Sequence, residues 1–70
     1  MNFRDFIQII EAVGFELKRT ENSHRRYEGT VGGEIHLVTV AYHRIGDEIL
    51  PKTFASMIRQ SGLPKRLFRR

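Results

Sequence analysis

EIHLVTVAY, residues 34–42, is the stretch on which the fold turns. It is rich in Ile, Leu, Val and Thr, residues that fit a pleated, half-buried surface. Side chains alternate between the faces of a strand. Ile35, Leu37, Thr39 and Ala41 therefore share one face, and His36, Val38, Val40 and Tyr42 the other. Both faces have apolar members. That pattern predicts a strand that is central, or covered in part on both sides.

Working outward, Gly29–Gly33 holds three glycines in five residues and reads as a turn. Before it, His24 to Glu28 is a short strand, polar apart from Tyr27. Glu21-Asn22 supplies another turn. Phe15 and Leu17 alternate with Glu16 and Lys18, the pattern of a half-buried strand. Phe3, Phe6, Ile7, Ile10 and Val13 recur at helical spacing, predicting an amphipathic helix over residues 3–13. Asn2 can cap it, Asp5 meets the positive end of its dipole, and Gly14 can end it. Downstream, residues 43–49 read as a loop. Pro51 suits the first position of a helix, Phe54, Met57, Ile58 and Ser61 line one stripe, and Gly62 ends it.

The order is α-β-β-β-α, an α+β fold. A three-stranded antiparallel sheet with two helices on one face buries both apolar stripes. Double-stranded-RNA-binding domains share that layout, an association that leaves function open. The domain is expected to span residues 1–64, with residues 65–70 trailing as a basic tail.

Seventy residues suffice for one domain with a small core. The absence of cysteine excludes disulfides and thiolate metal sites, which fits a cytoplasmic protein. No apolar run approaches a membrane span and the N-terminus lacks a signal-peptide pattern. The net charge is +4, unevenly spread. From Leu50 onward there are six Lys/Arg and no acidic residue, whereas residues 1–49 carry six basic and eight acidic residues, a net of −2. A one-sided basic segment suits a polyanion such as nucleic acid, or an acidic protein, and is also what a solvated tail looks like.

Candidate chemistry narrows quickly. His24, His36 and His43 lack metal-ligand spacing. Gly29-Thr30-Val31-Gly32-Gly33 lacks the Lys-Ser/Thr of a phosphate-binding loop. No pair of carboxylates stands out: Glu16, Glu28 and Glu34 are placed like solvent-facing strand residues. Ser23 and His24 are neighbours on a strand and point to opposite faces, which argues against a Ser-His nucleophile pair. What remains is His24 among arginines, in TENSHRRYEG, residues 20–29. Histidine exchanges a proton near neutral pH, and RNA carries its own nucleophile in the 2′-hydroxyl. Arg26 lies on the same strand face as His24, Arg25 on the other, and Tyr27 could stack on an unpaired base. Spacing alone leaves two readings open, a proton-transfer group and a solvated edge-strand histidine.

Several segments resemble, in order, the HicA family of small mRNA interferase toxins from bacterial toxin–antitoxin pairs. Val13-Gly14-Phe15 matches the close of the family's opening helix. Asn22-Ser23-His24-Arg25 matches in part its Gly-Ser-His-His-like turn, and Val38-Thr39-Val40 its Val-Thr-Val strand. Leu50-Pro51-Lys52-Thr53 and Gln60-Ser61-Gly62-Leu63 match the start and end of its second helix. Asn22 and Arg25 stand where the family has Gly and a second His, and Ala41-Tyr42-His43 replaces the proline that follows Val-Thr-Val. The resemblance implies a double-stranded-RNA-binding-domain-like fold and endoribonucleolytic cleavage of mRNA without a metal ion or other cofactor. It also implies neutralisation by a HicB-type antitoxin protein. The family's catalytic histidine maps onto His24. With it, Arg25, Arg26, Lys52 and Arg59 are expected to hold RNA phosphates, Lys18 and Arg19 to extend the track, and Ser23 to orient the turn or bind a phosphate. His36 and His43 read as structural or exposed. The alternative is a non-catalytic RNA-binding module on the same scaffold.

Overall fold

A computed structural model describes residues 1–69. Helix α1 spans Phe3–Ala12, strands β1, β2 and β3 span Glu16–Glu21, His24–Val31 and Glu34–Ala41, and helix α2 spans Pro51–Ser61. The strands form one antiparallel sheet in the order β1-β2-β3. The Asn2 side chain accepts a hydrogen bond from the Asp5 N–H at 2.8 Å, satisfying one of the free donors of the first turn of α1. Val13 caps the helix and is exposed, so it drops out of the expected stripe. Gly62, at φ 69°, ends α2 in the left-handed conformation that glycine adopts without a steric penalty.

The expected α-β-β-β-α architecture is present, and both helices cover one face of the sheet. Phe6 and Ile10 of α1, Met57 and Ile58 of α2, and Tyr27, Val38 and Val40 of the sheet bury one another there. The other face is left open.

Four local expectations are corrected. β3 is an edge strand, and the polar β2 is central. Consecutive hairpins put the middle strand in the middle, whatever its polarity. β2 copes by alternation: Arg25, Tyr27, Gly29 and Val31 face the helices while His24, Arg26, Glu28 and Thr30 face out. The open face of β3 accordingly leaves Ile35 69% and Leu37 48% exposed. Its free edge is partly covered from α2, where Gln60 Oε1 accepts the Thr39 N–H at 2.9 Å.

β2 also runs further than expected, through Gly29 to Val31. The buried Phe15 ring lies over Gly29, where a Cβ would come within 2.5 Å of Phe15 Cδ1. Glycine there makes room for a ring and is not part of the turn. The turn shrinks to Gly32-Gly33, both at positive φ (59° and 82°), as a tight two-residue hairpin requires. β1 begins after Phe15 and is exposed along its length rather than half-buried, being the other edge of the sheet.

The C-terminal segment is not a trailing tail. Lys65–Phe68 form a 3₁₀ turn that returns Phe68 to the core, 4% exposed. Its ring stacks on Phe6 at 4.9 Å and meets Phe54 edge-on at 6.2 Å. Arg70, the last of the basic residues, lies outside the described residues.

Candidate active site on the open face of the sheet

The hairpin joining β1 and β2 builds the site. Its turn is Asn22-Ser23, with Asn22 at φ 55°. Asparagine tolerates this conformation better than most residues, so it serves where a glycine would be expected. The two residues flanking such a turn are directly opposed, which places Glu21 across from His24. The register also shifts between Leu17 and Arg19. Lys18 is the extra residue of this bulge, so Arg19, rather than Lys18, comes to lie opposite Arg26. On its other side Arg26 pairs with Thr39 of β3.

Arg19, Glu21, His24, Arg26 and Thr39 thus converge from all three strands and line one shallow depression on the open face. Arg19 Nε reaches Glu21 Oε1 at 2.6 Å, and both side chains are mostly exposed. The depression holds two guanidinium groups, one carboxylate and one imidazole. Such a set can bind an anion and move protons beside it.

Arg25 is placed elsewhere. Its side chain lies on the helix-covered face, where Nη1 donates to Ser23 O at 2.9 Å and to Tyr42 O at 3.3 Å. Its Cζ sits 3.8 Å from the centroid of the Tyr42 ring, a cation–π contact. Tyr42 packs in turn on Phe3 at 5.4 Å, and its N–H donates to Ser23 O at 3.2 Å. Arg25 therefore ties the start of β2 to the end of β3 beneath the turn that carries His24. Ser23 is half-buried in that turn, and its carbonyl accepts both bonds.

Tyr27 is not available for stacking on a base: it is 5% exposed and faces the core. Burial pushes its phenol above the ordinary value of 10.0, with the Glu11 carboxylate adding to the effect. Lys18 is exposed beside Glu16, with Nζ to Oε1 at 3.1 Å. Lys52 and Arg59 are exposed on α2, across the sheet from His24, and do not line the depression. His36 is half-buried against the end of α2, its Nδ1 3.1 Å from Gln60 O and its ring against Gly62, while His43 is exposed in the loop. Among the described residues no group of three or more His, Cys, Asp or Glu side chains is placed to hold a metal ion.

The site therefore joins His24 and Arg26, as alternation predicts, brings Arg19 from the expected track into the same depression, and adds Glu21. Its sequence context reads as a turn, whereas the structure makes it the last residue of β1. The signal that finds it is the spacing Glu21-Asn22-Ser23-His24, since a two-residue turn makes its flanking residues a cross-strand pair.

Residues 3–63, which hold both helices, the whole sheet and all five residues of the depression, match the family model for the HicA toxin of bacterial toxin–antitoxin systems. The chain belongs to the HicA toxin family. No curated protein and no solved structure matches it. As a HicA toxin it acts in a toxin–antitoxin pair, and its partner is the cognate antitoxin. No helix among the described residues is long and apolar enough to cross a membrane.

Proposed function

We propose that this HicA toxin is an mRNA interferase, an endoribonuclease that uses His24 for acid–base catalysis and needs no metal. The observation that carries the reading is the placement of His24 in one depression with two guanidinium groups, Arg19 and Arg26. Cleavage of RNA needs a proton-transfer group at the reacting oxygens and positive charge for the phosphorane that forms between them. His24 supplies the first and the two arginines the second. The 2′-hydroxyl of the substrate is the nucleophile, so no enzyme nucleophile is required.

The other basic residues take graded roles. Arg26 and Arg19 contact the scissile phosphate. Lys18, Lys52 and Arg59 attract the strand at longer range and add to the salt dependence of binding. Arg25 holds the strand ends and so aims His24, and Ser23 serves that lock through its carbonyl.

The test is cleavage of a defined mRNA by the purified toxin and by His24→Ala. The variant is expected to lose about 10²–10⁴-fold in cleavage rate while still binding RNA. A wild-type protein that binds RNA but never cuts it would leave an RNA-binding module in place of the enzyme.

A further inference from the structure

We propose that Glu21 is the second proton-transfer group of the site: it takes the 2′-hydroxyl proton while His24 protonates the leaving oxygen. This rests on the endoribonuclease reading above and assigns a role within it. Cleavage of a phosphodiester by its own 2′-hydroxyl needs a base on the attacking side and an acid on the leaving side. One imidazole cannot serve both in the same displacement. Among the five residues that line the depression, Arg19 and Arg26 are hydrogen-bond donors with no acceptor, and Thr39 is a neutral hydroxyl. Glu21 is the remaining group that can accept a proton.

Its position suits the task. Directly across from His24 stand Glu21 on β1 and Ala41 on β3. Ala41 has no polar side chain, so the functional neighbour of the imidazole is the carboxylate. Opposed residues on one face hold their Cβ atoms about 4.5–5.5 Å apart, close enough for both side chains to reach one phosphodiester. The Arg19 Nε contact to Glu21 Oε1 at 2.6 Å holds the carboxylate on the open face. Of the described residues that line the depression, the charged groups beside the pair are Arg19 from β1 and Arg26 from β2, and β3 contributes the uncharged Thr39.

The step balances without a further reactant. Glu21 removes the 2′-hydroxyl proton, and the 2′-oxygen lone pair forms the new bond to phosphorus. The bond from phosphorus to the 5′-oxygen breaks, its electron pair stays on that oxygen, and the His24 imidazolium gives it a proton. The products are a 2′,3′-cyclic phosphate end and a 5′-hydroxyl end. Water exchanges the protons of Glu21 and His24 back to their starting states.

The experiment is the pH profile of kcat/KM on a short fluorogenic RNA for the full chain, Glu21→Gln and Glu21→Asp, with the product ends identified. Wild type is expected to show a bell-shaped profile, because the step needs an unprotonated base on one side and a protonated acid on the other. Glu21→Gln can keep a hydrogen bond to Arg19 but cannot take a proton. It is expected to lose at least 10²-fold in kcat, with the acidic limb gone and KM little changed. Glu21→Asp is expected to keep the acidic limb at a reduced rate. If Glu21→Gln cuts within about threefold of wild type and retains the acidic limb, Glu21 is only an anchor for Arg19 and the inference is overturned. Failure of the parent reading looks different, since wild type itself would then yield no cyclic phosphate at any pH.

Discussion

Neighbouring arginines do different work in this protein. Arg26 stands on the open face beside His24, whereas Arg25 is bonded to Ser23 O and Tyr42 O on the covered face. Removing Arg25 breaks hydrogen bonds from a charged donor and a cation–π contact in a half-buried place. Arg25→Ala is expected to cost about 1–3 kcal/mol, several degrees of Tm for a domain this small, without changing the salt slope of RNA binding. Arg26→Ala is expected to leave Tm nearly unchanged and to reduce that slope by about one. Thermal unfolding and a salt titration of RNA binding read both effects, and the reverse pattern would reassign the two residues. Alternation already separates them in the sequence, because consecutive strand residues point opposite ways. What alternation cannot say is which face the helices will cover.

At the scale of elements, short irregularities decide which residues meet. The bulge at Lys18 substitutes Arg19 for its neighbour in the depression, and the two-residue turn at Asn22-Ser23 opposes Glu21 to His24. Neither the bulge nor the shifted register leaves a mark in hydrophobic periodicity, since β1 is exposed throughout. The C-terminal 3₁₀ turn is the other such element. Its basic residues masked a core contribution, because Phe68 stands alone among Lys65, Arg66 and Arg69 apart from Leu67. Phe68→Ala removes a ring that packs on both Phe6 and Phe54 and should cost about 3–5 kcal/mol. Chemical denaturation measures it. A loss below about 1 kcal/mol would return this segment to the status of a tail.

Over the whole molecule the two faces of the sheet differ, and the proposed function separates stability from recognition along that division. One face carries both helices and the core. The other carries the depression, with Ile35 and Leu37 exposed further along the same face. Apolar side chains beside a basic depression suit a partner with an apolar patch and acidic groups, and under the proposed function an antitoxin would act by covering His24. The cognate antitoxin is therefore expected to protect the β1–β2 hairpin and the amides of β3 from hydrogen exchange. A complex that leaves His24 as open to solvent as it is in the free toxin would sink the steric account of neutralisation.

Read alone, the sequence predicts the type and order of the two helices and three strands, the helix ends at Asn2 and Gly62, and the alternation that groups His24 with Arg26. These are properties of a few consecutive residues: periodicity, capping and tolerance of positive φ. Its motifs, taken in order, also indicated the family. Long-range packing is what makes Gly29 the seat of the Phe15 ring, brings Phe68 into the core and ties Arg25 to Tyr42. Each of these depends on a side chain brought in from elsewhere in the chain. Burial is set by what packs across a gap, and no local window contains it.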